Sequence, residues 1–89
     1  MAAYRLAIKP GAAKELEAVD GKADRQRLVR RIQALAEDPR PAGCEKLSGQ
    51  IDLYRIRCGH WRVVYEIDDG VVLVTVVKVG HRKNIYRTL

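Results

Sequence analysis

Apolar and polar positions change their spacing several times along the chain, and each change predicts an element. Tyr4, Leu6 and Ile8 alternate with Arg5, Ala7 and Lys9 over residues 4–9, the period-two pattern of a short strand, and Pro10-Gly11 ends it. Residues 12–19 predict a short helix with Leu16 and Val19 inward, broken by Asp20-Gly21. Over residues 22–37 Leu28, Ile32 and Leu35 recur at helical spacing, and Val29 and Ala36 widen the stripe. Arg25, Arg27, Arg30 and Arg31 lie on or beside the polar side. Asp38-Pro39 and Arg40-Pro41 stop this helix, because a residue before proline is pushed out of the helical region. Residues 39–50 are irregular and polar. Three strands follow, over residues 53–58, 61–68 and 71–79, joined at Gly59-His60 and Asp69-Gly70. Both dipeptides suit two-residue hairpin turns, the second as a type I′ signal.

The predicted architecture is therefore α+β in one domain spanning residues 1–89: an N-terminal strand, a two-helix hairpin, then a three-strand antiparallel meander. Packing the helices on one face of an antiparallel sheet buries both apolar sets. The turns also predict a register. With Gly59-His60 as the turn, Cys58 faces Trp61, Arg57 faces Arg62 and Arg55 faces Val64. Residues two apart in a strand share a face, so Arg55, Arg57 and Arg62 project together, with Tyr54, Ile56, Val63, Tyr65 and Ile67 on the helix side. Continuing through Asp69-Gly70, Asp68 faces Val71 and Val76 faces Val63. Val72, Val74 and Val76 then join the helix-side core, and Leu73, Thr75 and Val77 lie on the arginine side. The last strand is thus apolar on both faces, so part of the arginine face must be covered, by the C-terminal segment or by a partner.

Composition sharpens the picture. Hydrophobic residues make up 47% of the 89 residues, which excludes a chain disordered by composition. There is one Trp, four Tyr and no Phe, so the core must be built from Leu, Ile, Val and Ala. Seventeen Lys and Arg against eleven Asp and Glu give a net charge of +6, with a pI near 9.7. Such a balance favours an anionic partner, nucleic acid or acidic protein, without choosing between them. Cys44 and Cys58 form no C-x-x-C pair, and no secretory signal or membrane-length apolar stretch stands in the sequence; a cytoplasmic protein with reduced thiols is expected. Cys44, Cys58, His60 and His81 have no regular metal-ligand spacing, and neither metal nor cofactor is expected.

The chemistry-bearing residues are the arginines. Like charges directly opposite each other, as Arg57 and Arg62 would be, destabilise a sheet. An anion bridging them removes that cost, and the planar fork of arginine donates two parallel hydrogen bonds to phosphate. The bland alternative is that these side chains reach apart into solvent or pair with Glu66 and Asp68.

The run Y-R-I-R-C-G-H-W-R-V-V-Y-E-I-D-D over residues 54–69 resembles the RelE toxin family, within the RelE/ParE superfamily of bacterial and archaeal toxins. The run V-G-H-R-K-N-I-Y over residues 79–86 and the K-L-S-G at 46–49 resemble it too, as does the order of elements. The resemblance implies a toxin that enters the ribosomal A site and cuts mRNA, with the RNA 2′-hydroxyl as nucleophile. It implies that Arg55, Arg57, Arg62 and Arg82 match the family's basic site and that Tyr86 matches its C-terminal tyrosine. Family members carry lysines where Arg55 and Arg57 stand; arginine keeps the charge but does not readily lose its proton. A RelB-like antitoxin is the implied partner, in a toxin–antitoxin hetero-oligomer, with the ribosome and mRNA as targets and no membrane.

Such a cleavage needs a base, a phosphate stabiliser and an acid. Arginine serves poorly as a base, so the expected catalytic set is Arg62 and Arg82 on the phosphate oxygens, with Tyr86 or His81 as proton carrier. Tyr86 starts near a pKa of about 10, which surrounding cations lower. Arg55, Arg57, Lys46 and Lys83 are the expected contacts to flanking phosphates or ribosomal RNA. Trp61 is expected in the core and His60 in solvent. Val64, Leu73 and Val77, if exposed, would offer an antitoxin segment something apolar to bind. Two other readings compete: a ParE-like toxin that poisons gyrase, which would share the fold but generally lacks the Arg62, Arg82, Tyr86 set, and a non-catalytic nucleic-acid or protein binding module using the same basic face.

Overall fold

The computed structural model describes residues 3–47 and 52–85. The elements run β1 (Arg5–Ile8), α1 (Pro10–Glu17), α2 (Lys22–Ala34), β2 (Glu45–Lys46), β3 (Leu53–Cys58), β4 (Trp61–Asp68) and β5 (Leu73–His81). They form one five-stranded sheet in the order β1-β5-β4-β3-β2. Pro10 opens α1 rather than merely closing β1, because the missing N–H of proline costs nothing in the first helical turn. The second helix stops at Ala34, with Leu35 as its cap, but Leu28, Ile32 and Leu35 are buried as the spacing predicts.

The sheet is mixed, which corrects the antiparallel expectation. β1 runs parallel to β5, with Leu6 opposite Val74 and Ile8 opposite Val76. Hairpins hold β3, β4 and β5 antiparallel. The two-residue strand β2, in a segment that sequence leaves irregular, takes the outer edge of β3. The β5 edge is then left for the N-terminal strand. This makes β5 an interior strand, and its two-faced apolar pattern follows from that position.

The β3–β4 register is the predicted one, Cys58 facing Trp61, Arg57 facing Arg62 and Arg55 facing Val64. Gly59 takes a φ of +62° at the first turn position, which glycine adopts without steric cost. The β4–β5 register differs from the prediction: Asp68 faces Leu73, Tyr65 faces Val76 and Val63 faces Val79. Two devices cause the shift. Asp68 Oδ1 accepts the N–H groups of Gly70 (3.0 Å) and Val71 (3.2 Å), so a side chain closes a four-residue turn in place of a two-residue one. A bulge between Val64 and Tyr65 on the paired strand then takes up one further residue of β5. The N–H of Val79, beside that bulge, donates to Glu15 Oε1 of α1 (3.0 Å), and Glu15 Oε2 receives Lys78 Nζ at 3.0 Å. Val72 consequently leaves the core: it is exposed, at a φ of +57°, a strained setting for a β-branched residue.

The main core lies between helices and sheet: Ala12, Val19, Leu28, Ile32, Leu35, Ile56, Val63, Tyr65, Ile67, Val74, Val76 and Val79, with Trp61 and Leu16 packed against it. Tyr54 and Tyr65 stack at 5.9 Å, and the Tyr65 hydroxyl donates to the Pro39 carbonyl at 2.8 Å. Burial above all pushes the Tyr65 phenol far above its ordinary pKa. The other face is partly covered as well. Val64 and Ile85 are both fully buried outside the main core. Ile85 lies over Gly80, where an added Cβ would stand 3.0 Å from its Cδ1 and 3.6 Å from its Cα. Of the two covers that sequence leaves open, the C-terminal segment supplies this one. Among the described residues no helix is long and apolar enough to cross a membrane.

Candidate nucleic-acid interface and nuclease site

Strand pairing decides which predicted residues meet. Arg55, Arg57 and Arg62 share the sheet face opposite the helices, as their alternation in β3 and β4 requires. Lys46 does not join them. It faces Tyr54 across the β2–β3 ladder, so it issues from the helix-side face at the sheet edge. Its neighbour Glu45 faces Arg55 instead. The Glu45 carboxylate forms an ion pair with Arg55 and lies 3.6 Å from Arg57 Nη2. Sequence alternation pointed to Glu66 and Asp68 as acidic partners; the described pairing runs through Glu45, because β2 adds a strand that no periodicity announces in two residues. Arg55 is largely covered at 13% side-chain exposure and Arg57 is open at 62%.

Arg62 turns back along its own hairpin. Its Nη1 donates to the carbonyls of Gly59 and Trp61, both at 3.0 Å. Gly80 stands directly opposite it on β5. Beyond β5 a tight turn carries Arg82 and Lys83, both exposed. Three backbone bonds hold this turn: Arg82 N–H to the His60 carbonyl (2.8 Å), and the N–H groups of Asn84 (2.8 Å) and Ile85 (3.0 Å) to the His81 carbonyl. The first ties Arg82 to the β3–β4 hairpin, and the buried Ile85 anchors the far end. Gly80 and Ile85, absent from the predicted site, therefore determine where Arg82 sits. A glycine followed by a lone apolar residue in a basic segment was the available signal.

His81 faces Trp61 across the β4–β5 ladder, so its ring leaves from the helix-side face and not from the arginine face. The ring meets Trp61 edge to face at 5.6 Å and stacks with His60 at 6.0 Å and 26°. His60 is exposed as expected, yet it belongs to a cluster rather than to open solvent. Partial burial first, then the His60 ring and the charges of Lys83, Arg82 and Arg62, hold the His81 pKa below the ordinary histidine value. The Lys83 N–H donates to His81 Nδ1 at 3.3 Å. In the neutral ring the proton then sits on Nε2, which makes His81 a donor from that atom. Tyr86 lies outside the described residues, as do Ser48 and Gly49 of the K-L-S-G run.

No group of three His, Cys, Asp or Glu among the described residues is placed to hold a metal ion. Both cysteines are free, Cys58 buried and Cys44 half-buried. Nor does the expected apolar docking strip on the arginine face stand open: Val64 is fully buried, and Leu73 and Val77 are half-buried. Among the described residues, the exposed large apolar side chains are Leu6 and Ile8 on the edge strand β1, with Val71 and Val72 in the β4–β5 turn beside it.

Known proteins share both this sequence and this geometry. The ParE toxin family of type II toxin–antitoxin systems, parDE, matches residues 6–86. The mRNA interferase toxin RelE of Escherichia coli K12 is 35% identical over 83 residues, covering 91% of this chain and 85% of that protein. The crystal structure of the isolated E. coli RelE toxin superposes with a TM-score of 0.77 at 33% identity, over 89% of this chain and 84% of that one. The toxin of the archaeal RelE–RelB complex from Pyrococcus horikoshii superposes at 0.79 with 30% identity, over 92% and 97%. With the fold and a third of the sequence in common over most of both chains, the chain belongs to the RelE family of toxins within the ParE-type toxins of type II toxin–antitoxin systems.

Proposed function

We propose that this protein is the toxin of a type II toxin–antitoxin pair and acts as an mRNA interferase, a ribosome-dependent endoribonuclease that cuts in the A site. The observation that carries this reading is the convergence of Arg55, Arg57 and Arg62 on one sheet face, with Arg82 tied to the same hairpin through the His60 carbonyl, in a chain 35% identical to an mRNA interferase. In the reaction the 2′-hydroxyl loses its proton and attacks the adjacent phosphorus. The bond from phosphorus to the 5′-oxygen breaks, and that oxygen takes up a proton. Arg62 and Arg82 stabilise the charge that gathers on the phosphoryl oxygens. Arg55, Arg57 and Lys83 hold flanking phosphates, and Lys46 reaches RNA from the sheet edge. Tyr86 is the proposed base or 2′-hydroxyl orienter, and the His81 ring, which leaves from the helix-side face against His60 and Trp61, is thereby set off the arginine face. The described residues hold no paired histidine and carboxylate on the arginine face, so much of the substrate geometry comes from the ribosome.

The proposed partner is a RelB-like antitoxin, an acidic and partly apolar segment that covers basic and apolar surface together. Leu6, Ile8, Val71 and Val72 provide the apolar part. Both partners act in the cytoplasm.

The test is cleavage of mRNA on programmed ribosomes with an empty A site, with naked mRNA alongside. Wild type cuts within the A-site codon and leaves naked mRNA intact, and Arg82→Ala and Tyr86→Phe lose most of the rate. Efficient cutting of naked RNA would count against the ribosome-dependent reading. The match to ParE toxins favours a second reading, gyrase poisoning by the same fold. Folded wild type that cuts no mRNA and blocks DNA supercoiling would establish it.

A further inference from the structure

The β3–β4 turn carries an arrangement that the cleavage chemistry does not use. His60 sits exposed at the second turn position, and its ring stacks on His81 at 6.0 Å, while His81 is backed edge to face by Trp61 at 5.6 Å. Two stacked rings thus rest edge-on against a third, with the outermost ring open to solvent. The stack is rigidly placed. The His60 carbonyl receives the Arg82 N–H, the Gly59 and Trp61 carbonyls receive Arg62 Nη1, and Trp61 packs on the core. Positive charge surrounds it. Arg27 of α2 brings Nη1 to within 3.5 Å of where a Gly59 Cβ would stand. Arg62, Arg82 and Lys83 all act on the electrostatics of the His81 ring.

An exposed π-face rimmed by cations matches one ligand chemistry. Single-stranded RNA presents flat bases that stack on aromatic side chains and a phosphate chain that needs cations on either side. An acidic protein segment would answer the charges of Arg27, Arg62, Arg82 and Lys83 but brings no flat group suited to the open His60 ring. The arginine face and the histidine stack lie on opposite faces of the sheet, but they meet at the end of the β3–β4 hairpin. A strand with its phosphates on Arg57, Arg62 and Arg82 can therefore turn one base over that end.

We propose that His60 is a nucleobase-stacking residue, supported by His81 and Trp61, and that it engages an unstacked base of single-stranded RNA next to the phosphate held by Arg62 and Arg82. The proposal rests on the interferase reading for the identity of the RNA. The base comes either from the mRNA codon or from ribosomal RNA.

The first experiment is independent of cleavage. A short RNA carrying 2-aminopurine, with 2′-O-methyl groups that block cutting, is titrated with wild type, His60→Ala and His60→Tyr, each checked by thermal melting. Wild type and His60→Tyr quench the fluorophore. His60→Ala binds roughly five- to a hundredfold more weakly and quenches little at saturation. Equal affinity and equal quenching by His60→Ala would overturn the proposal even if the protein proves to be a nuclease. Conversely, wild type that quenches but never cuts on ribosomes would overturn the interferase reading while leaving the stacking site standing. The second experiment separates the sources. If the base belongs to mRNA, His60→Ala changes the distribution of cut codons. If it belongs to ribosomal RNA, His60→Ala weakens binding to empty ribosomes and leaves the codon distribution as in wild type. No change in either would count against the site.

Discussion

Arginine stands in two different settings at two regions of this molecule. Beside the β4–β5 turn, Arg40 is fully engaged. Its Nη1 and Nη2 reach the two oxygens of Asp69 at 3.3 and 2.9 Å, its Nε reaches the Tyr54 hydroxyl at 3.4 Å, and its plane lies 5.2 Å over the Tyr54 ring. Tyr4 donates to the same carboxylate at 2.6 Å. This cluster ties β1, the segment after α2, β3 and the β4–β5 turn together. On the arginine face, the Glu45 carboxylate is shared between Arg55 and Arg57. One guanidinium with a dedicated carboxylate is a structural clasp. Arg57, open to solvent at 62% exposure, lies 3.6 Å from a carboxylate that also pairs with Arg55, and is the more loosely held guanidinium. The difference lies in how tightly the fold holds each guanidinium, 2.9 Å from its carboxylate for Arg40 and 3.6 Å for Arg57, since the side chains are chemically the same.

The comparison can be broken most decisively by removing its active side. Arg62→Ala with Arg82→Ala should lower ribosome-dependent cleavage by at least roughly 10²- to 10³-fold, the scale set by losing one preorganised donor to a developing charge. Arg40→Ala should leave the rate per folded molecule unchanged. Single-turnover cleavage and thermal melting on the same samples measure both. A large rate loss in Arg40→Ala with unchanged melting would erase the division.

A buried hydroxyl beneath the clasp gives the next effect. Tyr65→Phe removes the bond to the Pro39 carbonyl and leaves a buried acceptor. It should cost about 1–3 kcal/mol, seen as a lower urea midpoint with an unchanged slope, and should leave RNA affinity unaltered.

Glu45→Gln acts on the other side of the comparison. It removes the shared carboxylate, so RNA affinity should rise by about threefold and fall more steeply with salt. Filter binding at several ionic strengths tests this. Unchanged affinity would mean that Glu45 does not compete with phosphate for the arginines.

The smallest effect is a pH dependence. The Arg40 guanidinium first, then the Tyr4 hydroxyl, hold the Asp69 carboxyl below its ordinary pKa. A carboxylate whose folded pKa is depressed contributes stability above its unfolded value, near 3.9 for aspartate, and loses that contribution as pH falls through the folded value. Asp69→Asn should therefore flatten the acid limb of stability below about pH 4 and change little at neutral pH. An identical acid limb in the variant would show that the clasp carries no linkage.

Much of this protein was determined by sequence alone. Alternation in residues 53–58 and 61–68, with Gly at the first turn position, is enough to set the β3–β4 register and to place Arg55, Arg57 and Arg62 on one face. Helical spacing is enough to bury Leu28, Ile32 and Leu35. These are local properties, because a period and a turn type are carried by adjacent residues. What only the tertiary structure decided is non-local. The parallel seat of β1 depends on which sheet edge stays open. The β4–β5 register depends on an Asp68 side chain closing a longer turn and on a bulge beside Glu15 of α1. Glu45, Lys46 and His81 take their faces from strand partners, so periodicity could not assign Lys46 and His81 to the helix side or give Glu45 to the arginines. Ile85 over Gly80 and His60 against His81 bring residues from separate segments into contact. A hydrophobic pattern records which residues prefer burial, but the partner that buries or stacks against each one is chosen only when the whole chain has folded.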